Sequence, residues 1–171
     1  KALRKLNPSL SEEVIDGAYH EITNIYDGIL DQRNEQLMDY LQNGVEIGYM
    51  EDSRRRTALV NVIDFRNVGE NLFKVCNQWR VVEHDIIRCD LVVFVNGLPL
   101  VVIELKSPAN ANVDEDDAYL QIKQYQQKCP TLFVYNAFSV TSDMLHSKAG
   151  TITAKENRYM EWKSVDGTVE S

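Results

Sequence analysis

Three charged side chains stand at the open end of an apolar hairpin: Asp90 on one predicted strand, and Glu104 and Lys106 on the next. Both strands are runs rich in Val, Ile and Leu, and Asn96-Gly97 between them is typical of a tight turn. Charged side chains are rarely buried unless they are paired or bind a metal ion. Two carboxylates and a lysine in this place suit a divalent-cation site for hydrolysing a phosphodiester bond.

The register of this hairpin decides whether the two carboxylates share one face. Glu104 and Lys106 are two residues apart, so both project from the same face of a strand. A two-residue turn would place Glu104 on the face opposite Asp90. We therefore predict a three-residue loop, Asn96-Gly97-Leu98, with its glycine in the left-handed conformation of a bulge and with Asp90 opposite Glu104.

The residue types also indicate which cation would bind. A few hard oxygen ligands suit Mg²⁺ or Mn²⁺, which keep bound waters and accept phosphate oxygens. Asp90 and Glu104 would hold the metal, and Lys106 would orient the attacking water or stabilise the charge on phosphorus. The alternative is an ordinary salt bridge between Glu104 and Lys106, and spacing alone does not separate the two.

The longer string from Asp90 to Ser107 closely resembles the N-terminal nuclease domain of type I restriction enzyme R subunits. Asp, a spacer and Glu-x-Lys form the motif of the PD-(D/E)xK nuclease superfamily, although Cys89 stands where that motif has its proline. Other stretches resemble the same family over nearly the whole chain. They are Lys5–Pro8, Val62–Phe65, Asn71–Phe73, Asn77–Gln78, Leu132–Asn136, Gly150–Thr153, Arg158–Tyr159 and Trp162–Lys163.

The resemblance implies an α/β fold of the restriction-endonuclease type, with a mixed central sheet flanked by helices, that cuts double-stranded DNA with Mg²⁺ or Mn²⁺. It implies that the carbonyl of Leu105 joins Asp90 and Glu104 as a metal ligand and that Lys106 is catalytic.

The resemblance extends to a pair of residues downstream of the hairpin. Gln121 and Tyr125 have the Gln-x-x-x-Tyr spacing that follows the core motif in the family, and four residues apart on a helix they share one face. They would support the site; ordinary packing on an amphipathic helix is the alternative. Nucleases of this fold often use a further glutamate from the first helix, for which Glu21 is a candidate; a glutamate upstream of Lys1 is the alternative.

The family couples this nuclease to an ATP-driven translocase and to modification and specificity subunits. No P-loop motif is present in the sequence, so ATP would act only through motor domains absent from this chain. We expect residues 1–171 to be a single endonuclease domain, a fragment of a larger R subunit. Two alternatives stay open: a repair or recombination nuclease of the same superfamily, and an inactive nuclease-like module for subunit assembly. The intact acidic pair and lysine argue against the second.

Composition limits the number of domains and the cellular location that we expect. A chain of 171 residues that is 44% hydrophobic can bury one sizeable core. It has neither an apolar run long enough for a membrane helix nor a secretory signal. The odd number of cysteines, Cys76, Cys89 and Cys129, without CxxC spacing predicts buried thiols in a reducing compartment. The expected location is the cytoplasm.

The net charge of −8 bears on how the chain would hold DNA, because duplex affinity normally comes from Lys and Arg. One basic cluster, Arg54, Arg55 and Arg56, lies in a predicted polar loop and would contact DNA phosphates; a solvated loop with local ion pairs is the alternative. We expect other domains or subunits to supply most of the DNA affinity.

The remaining elements follow from periodicity and turn signals. Ser9 and Glu12 form a candidate capping box for the first helix. The predicted helices span about 9–26, 34–42 (stopped by Gly44) and 114–128; the predicted strands span 45–50, 57–65, 72–82, the hairpin 89–106, and 131–140, reached by a helical crossover. The last thirty residues are expected to be irregular, with partial strand or a linker.

Overall fold

The computed structural model describes residues 1–106, 115–143 and 146–163. The chain divides into two compact units. The first comprises Lys1–Lys74 and Val95–Leu98, and the second comprises Val75–Phe94 and Pro99–Ser171. The organisation of residues 1–171 as a single endonuclease domain stays a prediction.

The first unit contains α-helices and a two-stranded antiparallel sheet. Its elements are α1 (Ala2–Leu6), α2 (Glu12–Thr23), α3 (Leu30–Asn43), β1 (Val45–Glu51), β2 (Arg54–Val60) and a short 3₁₀ helix (Val68–Glu70). Helix α2 packs against β1. The buried residues of α2, Val14, Ile15, Ala18 and Ile22, recur at helical spacing and present one apolar face to the core.

The ends of the first unit's helices have identifiable causes. The hydroxyl oxygen of Ser11 accepts a hydrogen bond from the Val14 amide at 3.4 Å, so α2 begins after Ser11. The predicted start at Ser9 and end near Tyr26 were therefore wrong by a few residues. Helix α3 ends at Gly44, as predicted, where φ is +83° and the Gly44 amide donates to the Tyr40 carbonyl.

The arginine cluster lies in a strand, and the prediction of a loop was wrong. The turn between β1 and β2 has only two residues, Asp52 and Ser53, with φ of 48° and 62°. Such a turn leads directly into pairing, so Arg54 already stands opposite Glu51. Strand β2 also ends at Val60 and does not continue to Phe65.

A mixed six-stranded sheet organises the second unit, with strand order β3-β4-β5-β6-β7-β8. Strands β5 and β6 pair in parallel, whereas β6 and β7, and β7 and β8, pair antiparallel. The strands are β3 (Phe73–Val82), β4 (Ile86–Val95), β5 (Leu98–Leu105), β6 (Phe138–Ser142), β7 (Ser147–Gly150) and β8 (Met160–Glu161). The predicted α/β fold with a mixed, helix-flanked sheet is therefore confirmed.

The crossover between β5 and β6 contains two helices, α4 (Glu115–Lys128) and α5 (Pro130–Val134). Helix α4 packs against β6, and the predicted helix is confirmed, although Asp114 lies outside the described residues. Ala118, Ile122, Tyr125 and Cys129 are buried along one face of this segment. A parallel pair requires such a crossover, because a hairpin turn cannot return the chain in the same direction.

The predicted strand 131–140 was wrong over its first half. Pro130 occupies the first turn of α5, where its missing N–H costs nothing, and Leu132, Phe133 and Val134 are all buried. A short apolar run buried on every side has no periodicity that separates helix from strand. The strand, β6, begins only at Phe138.

The turn of the β4–β5 hairpin has two residues, and the predicted three-residue loop was wrong. Strand β4 ends at Val95 and β5 begins at Leu98. Asn96 and Gly97 have φ of 54° and 92°, the two positive values of a type I′ turn. The predicted left-handed glycine is confirmed, but Asn96 shares its conformation.

Hydrogen bonds of the Asn96 side chain hold the turn residue in place. The Asn96 carboxamide donates to the Val62 carbonyl and accepts from the Leu72 amide, at 2.8 and 2.9 Å. These contacts lie within the first unit and hold an asparagine in a conformation that it tolerates better than most residues.

All three cysteines are free thiols. Cys89 and Cys129 are buried as predicted, whereas Cys76 is only partly buried. Within the described residues, no helix is long and apolar enough to span a membrane. The end of the chain contains the predicted partial strand as β7 and β8; residues 164–171 lie outside the described residues.

Candidate metal centre

The two candidate carboxylates come together within the second unit in spite of the two-residue turn. The Leu105 amide donates to Asp90 Oδ2 at 2.9 Å, and the charge of Asp90 acts on Glu104. Along β4 the buried positions Ile87 and Cys89 are two apart, but the next, Val92, is three further on. Such a change of phase is typical of a strand that carries an extra residue, and the prediction from loop length did not allow for it.

Glu104 is the most unusual side chain of the site. It is 2% exposed, and its Oε2 atom is buried without a hydrogen-bond partner among the described residues. Burial raises the pKa of Glu104 to about 8; the negative charge of Asp90 adds to the shift, and the positive charge of Lys106 opposes it. A buried carboxyl with one unpaired oxygen is costly unless a ligand completes it.

Gln121 connects the lysine to the glutamate. Its amide nitrogen donates to Glu104 Oε1, and its amide oxygen accepts a hydrogen bond from Lys106 Nζ. Lys106 Nζ also lies 4.0 Å from Glu104 Oε1, and only 18% of its side chain is exposed. The amide thus meets a cation with its oxygen and a carboxylate with its nitrogen, as electrostatics requires.

Tyr125 holds Gln121 in place from the same helix. Its hydroxyl accepts from Gln121 Nε2 at 2.5 Å and donates to the Arg88 carbonyl of β4 at 2.9 Å. Burial raises the pKa of Tyr125 to about 12, so the phenol keeps the proton that it donates. The predicted pair at i and i+4 therefore meets the site with both side chains.

A further residue contacts Asp90; sequence analysis named it only as part of the family resemblance and gave it no role in the site. Gln78 of β3 donates from Nε2 to Asp90 Oδ1 at 2.8 Å. Its φ of 50° is uncommon for a residue that is not glycine. The sequence signal was limited to an Asn-Gln pair inside a strand, and neither the left-handed backbone nor the contact follows from it.

The donor set fits a small divalent cation. Asp90 and Glu104 offer carboxylate oxygens, and Glu104 Oε2 is a buried acceptor that nothing in the described part of the chain satisfies. A cation beside the pair would stabilise the ionised form of both groups. Two carboxylates are few ligands, and few protein ligands are typical of Mg²⁺, which retains waters.

The predicted arginines and Glu21 lie in the first unit. Arg54, Arg55 and Arg56 are exposed on β2, and Arg56 Nε lies 3.4 Å from Glu51 Oε2, so one member forms the local ion pair considered above. Glu21 is exposed on α2. The role of the Leu105 carbonyl as a metal ligand stays a prediction.

An α/β unit with an acidic pair and a lysine at the end of a central hairpin defines a nuclease-like class of protein. Residues 1–158 match the family described as "Type I restriction enzyme R protein N terminus", and the chain belongs to this family.

Two relatives match over 97% of the chain. A protein of Methanocaldococcus jannaschii, provisionally named as the MjaIXP endonuclease subunit of a type I restriction enzyme, is 35% identical over 170 residues. The "Type I restriction enzyme HindI endonuclease subunit" of Haemophilus influenzae is 34% identical over 168 residues. The chain spans 16% of the length of each of these relatives.

Proposed function

We propose that this chain is the endonuclease domain of a type I restriction enzyme R subunit and that it hydrolyses phosphodiester bonds of double-stranded DNA with Mg²⁺, for which Mn²⁺ can substitute. The observation that carries the proposal is the buried, unpartnered Oε2 of Glu104 beside Asp90. The family of the chain and the names of its relatives support the same class of reaction.

In this proposal Asp90, Glu104 and the Leu105 carbonyl hold the cation. When bound, the cation lowers the pKa of a water molecule and offsets the charge that develops on the phosphate. Asp90 keeps its orientation through the Leu105 amide, and Glu104 keeps its own through Gln121.

Lys106 is the group placed to act on the reacting phosphate. Its ammonium has three N–H donors, one of which the Gln121 amide oxygen accepts. The remaining donors would orient the attacking water or contact a phosphate oxygen. Because Gln121 and Tyr125 bind each other and Tyr125 binds β4, the lysine is supported by a chain of hydrogen bonds from helix to sheet.

The partners and location follow as parts of the same proposal. Modification and specificity subunits would assemble with the full-length R subunit in the cytoplasm, and ATP would act through its motor domains. The alternative of a repair or recombination nuclease draws no support from the family match. The alternative of an inactive assembly module leaves the buried, unsatisfied carboxyl without a purpose.

The test is plasmid cleavage by the full-length R subunit assembled with its partner subunits. We expect Asp90→Ala, Glu104→Ala and Lys106→Ala each to abolish cleavage, because each removes a metal ligand or the lysine that would contact the phosphate. ATP hydrolysis should continue in all three variants. Glu46→Ala, which changes an exposed glutamate of β1, is the matched control and should cleave normally. A site variant that linearises plasmid at the normal rate would contradict the assignment.

A further inference from the structure

Asp90 receives one hydrogen bond on each oxygen, and the two donors come from the strands on either side of it. The Leu105 amide of β5 donates to Oδ2 at 2.9 Å, and the Gln78 side chain of β3 donates to Oδ1 at 2.8 Å. Each carboxylate oxygen can accept two hydrogen bonds or ligands. The two donors therefore fix the plane of the carboxylate, and they do not saturate either oxygen.

Of these two donors, only Gln78 is a side chain. The Leu105 donor is a backbone amide, which every residue except proline supplies. The orientation of Asp90 therefore depends on residue identity at position 78, while position 105 contributes whatever its side chain.

The backbone at Gln78 departs from an ordinary strand. Its φ of 50° lies in the left-handed region, and the partly buried positions of β3 shift phase there, from Cys76 to Trp79. Strand β4 shifts phase next to Asp90, as described above. Two adjacent strands are thus irregular where the Gln78 and Asp90 side chains meet. Non-glycine residues in this conformation are found where the surrounding structure requires them, often at functional sites.

The geometry points to Gln78 as a positioning residue that orients the Asp90 carboxylate for the divalent cation. The inference rests on the proposed function, because it assigns Gln78 a role in that same metal centre. Partners that orient a metal ligand typically change metal affinity by about 10- to 100-fold when they are removed. Gln78 itself is exposed, so its loss opens no cavity in the core.

The test compares two substitutions that both remove the side-chain donor but differ in backbone strain. Gln78→Ala and Gln78→Gly both remove the amide donor, but only glycine adopts a positive φ without steric cost. We expect both variants of the 171-residue chain to bind Mn²⁺ about tenfold or more weakly in calorimetric titration. In thermal melts without metal, the glycine variant should unfold at a higher temperature than the alanine variant.

Asn77→Ala, which removes the neighbouring exposed amide of the same strand, is the matched control and should bind Mn²⁺ like the wild type. Wild-type affinity in both Gln78 variants would overturn the inference and leave the proposed function intact. Weak Mn²⁺ binding in Gln78→Ala together with normal binding in Gln78→Gly would also overturn the inference. The backbone conformation at position 78, and not the amide side chain, would then determine the affinity. If the Glu104→Ala variant binds Mn²⁺ as tightly as the wild-type chain does, the proposed metal centre is wrong, and this inference is wrong with it.

Discussion

At the scale of single residues, Glu104 is held by Gln121 on one oxygen and by no described residue on the other. Asp90 and Lys106 are the charged groups that face it, with opposite effects on its pKa. Cys89 and Tyr125 also lie near this carboxylate, and burial raises the pKa of each to about 12, so both remain neutral around physiological pH. Of Cys89, Glu104 and Tyr125, Glu104 is therefore the residue whose protonation changes near neutrality.

This shift predicts that the metal-free chain loses stability as the pH rises. Between its ordinary pKa of 4.5 and its folded value of about 8, Glu104 is ionised in the unfolded chain but protonated in the folded one. The folded state then binds more protons, so the free energy of unfolding falls with rising pH, by at most about 1.4 kcal/mol per pH unit from this group.

The measurement is denaturant unfolding in chelator between pH 5 and pH 8, with Glu104→Gln as the comparison. Glutamine resembles the protonated carboxyl and does not titrate, so the variant should lose the part of the pH dependence that Glu104 causes. Parallel curves for the two proteins over this range would show that Glu104 ionises normally in the folded state.

At the scale of elements, two glycines in different surroundings predict different costs for the same substitution. Gly97 has φ of +92° at the hairpin tip, and a Cβ there would meet no atom within 4 Å. Gly97→Ala should therefore cost about 1 kcal/mol, the penalty of a left-handed backbone alone. In Gly150→Ala the new Cβ would collide with the ring of Tyr159, which is buried.

Displacing that ring should cost about 1–3 kcal/mol, as overpacking typically does. Thermal or denaturant unfolding of the two variants checks the order, with Gly69→Ala as the control because it has open space and no positive φ. If Gly97→Ala lowers the free energy of unfolding more than Gly150→Ala does, the turn is more constrained than the contact with Tyr159.

The elements also show what a sequence can and cannot specify. The hairpin strands and α4 were predictable, since apolar runs around Asn96-Gly97 and a helical apolar stripe are local signals. The two-residue turn was not inferred, because the phase change along β4 is a property of the paired strands. The helix α5 was missed, since a fully buried run of Leu, Phe and Val has no face to reveal its period.

Within the site, residues with a signal in the sequence were likewise predictable, and a contact that depends on strand pairing was not. Asp90, Glu104 and Lys106 were candidates from residue type and spacing, and Gln121 and Tyr125 were candidates from the family resemblance. The structure brings these side chains together. The role of Gln78 was missed, although the residue lies in a stretch that resembles the family, because its contact with Asp90 depends on the alignment of β3 with β4 and on a backbone angle that no local pattern encodes.

At the scale of the whole molecule, charge sets an expectation for DNA binding. The net charge is −8, and of the arginines on β2, Arg56 is already close to Glu51. Because non-specific affinity comes from neutralised phosphates and falls steeply with salt, we expect no tight duplex complex near physiological ionic strength. Gel-shift titration of the 171-residue chain checks this, with Arg54→Ala as the comparison at low salt.

A sequence-specific, submicromolar complex formed by these residues alone would contradict this division of labour. Equal low-salt affinity in Arg54→Ala and the wild type would show that the β2 arginines do not contribute.

The protonated Glu104 has a consequence for the order of folding and metal loading. Asp90 and Glu104 lie on one hairpin, an element that closes in about 1–10 μs, and two ionised carboxylates would repel as its ends meet. A proton that Glu104 takes up as the chain folds removes that repulsion, so the hairpin can close and α4 can dock in the absence of any cation. Unlike zinc fingers, which fold only around their metal, such a chain would be synthesised and folded in a metal-free resting form. The cation would arrive afterwards and release the proton to solvent.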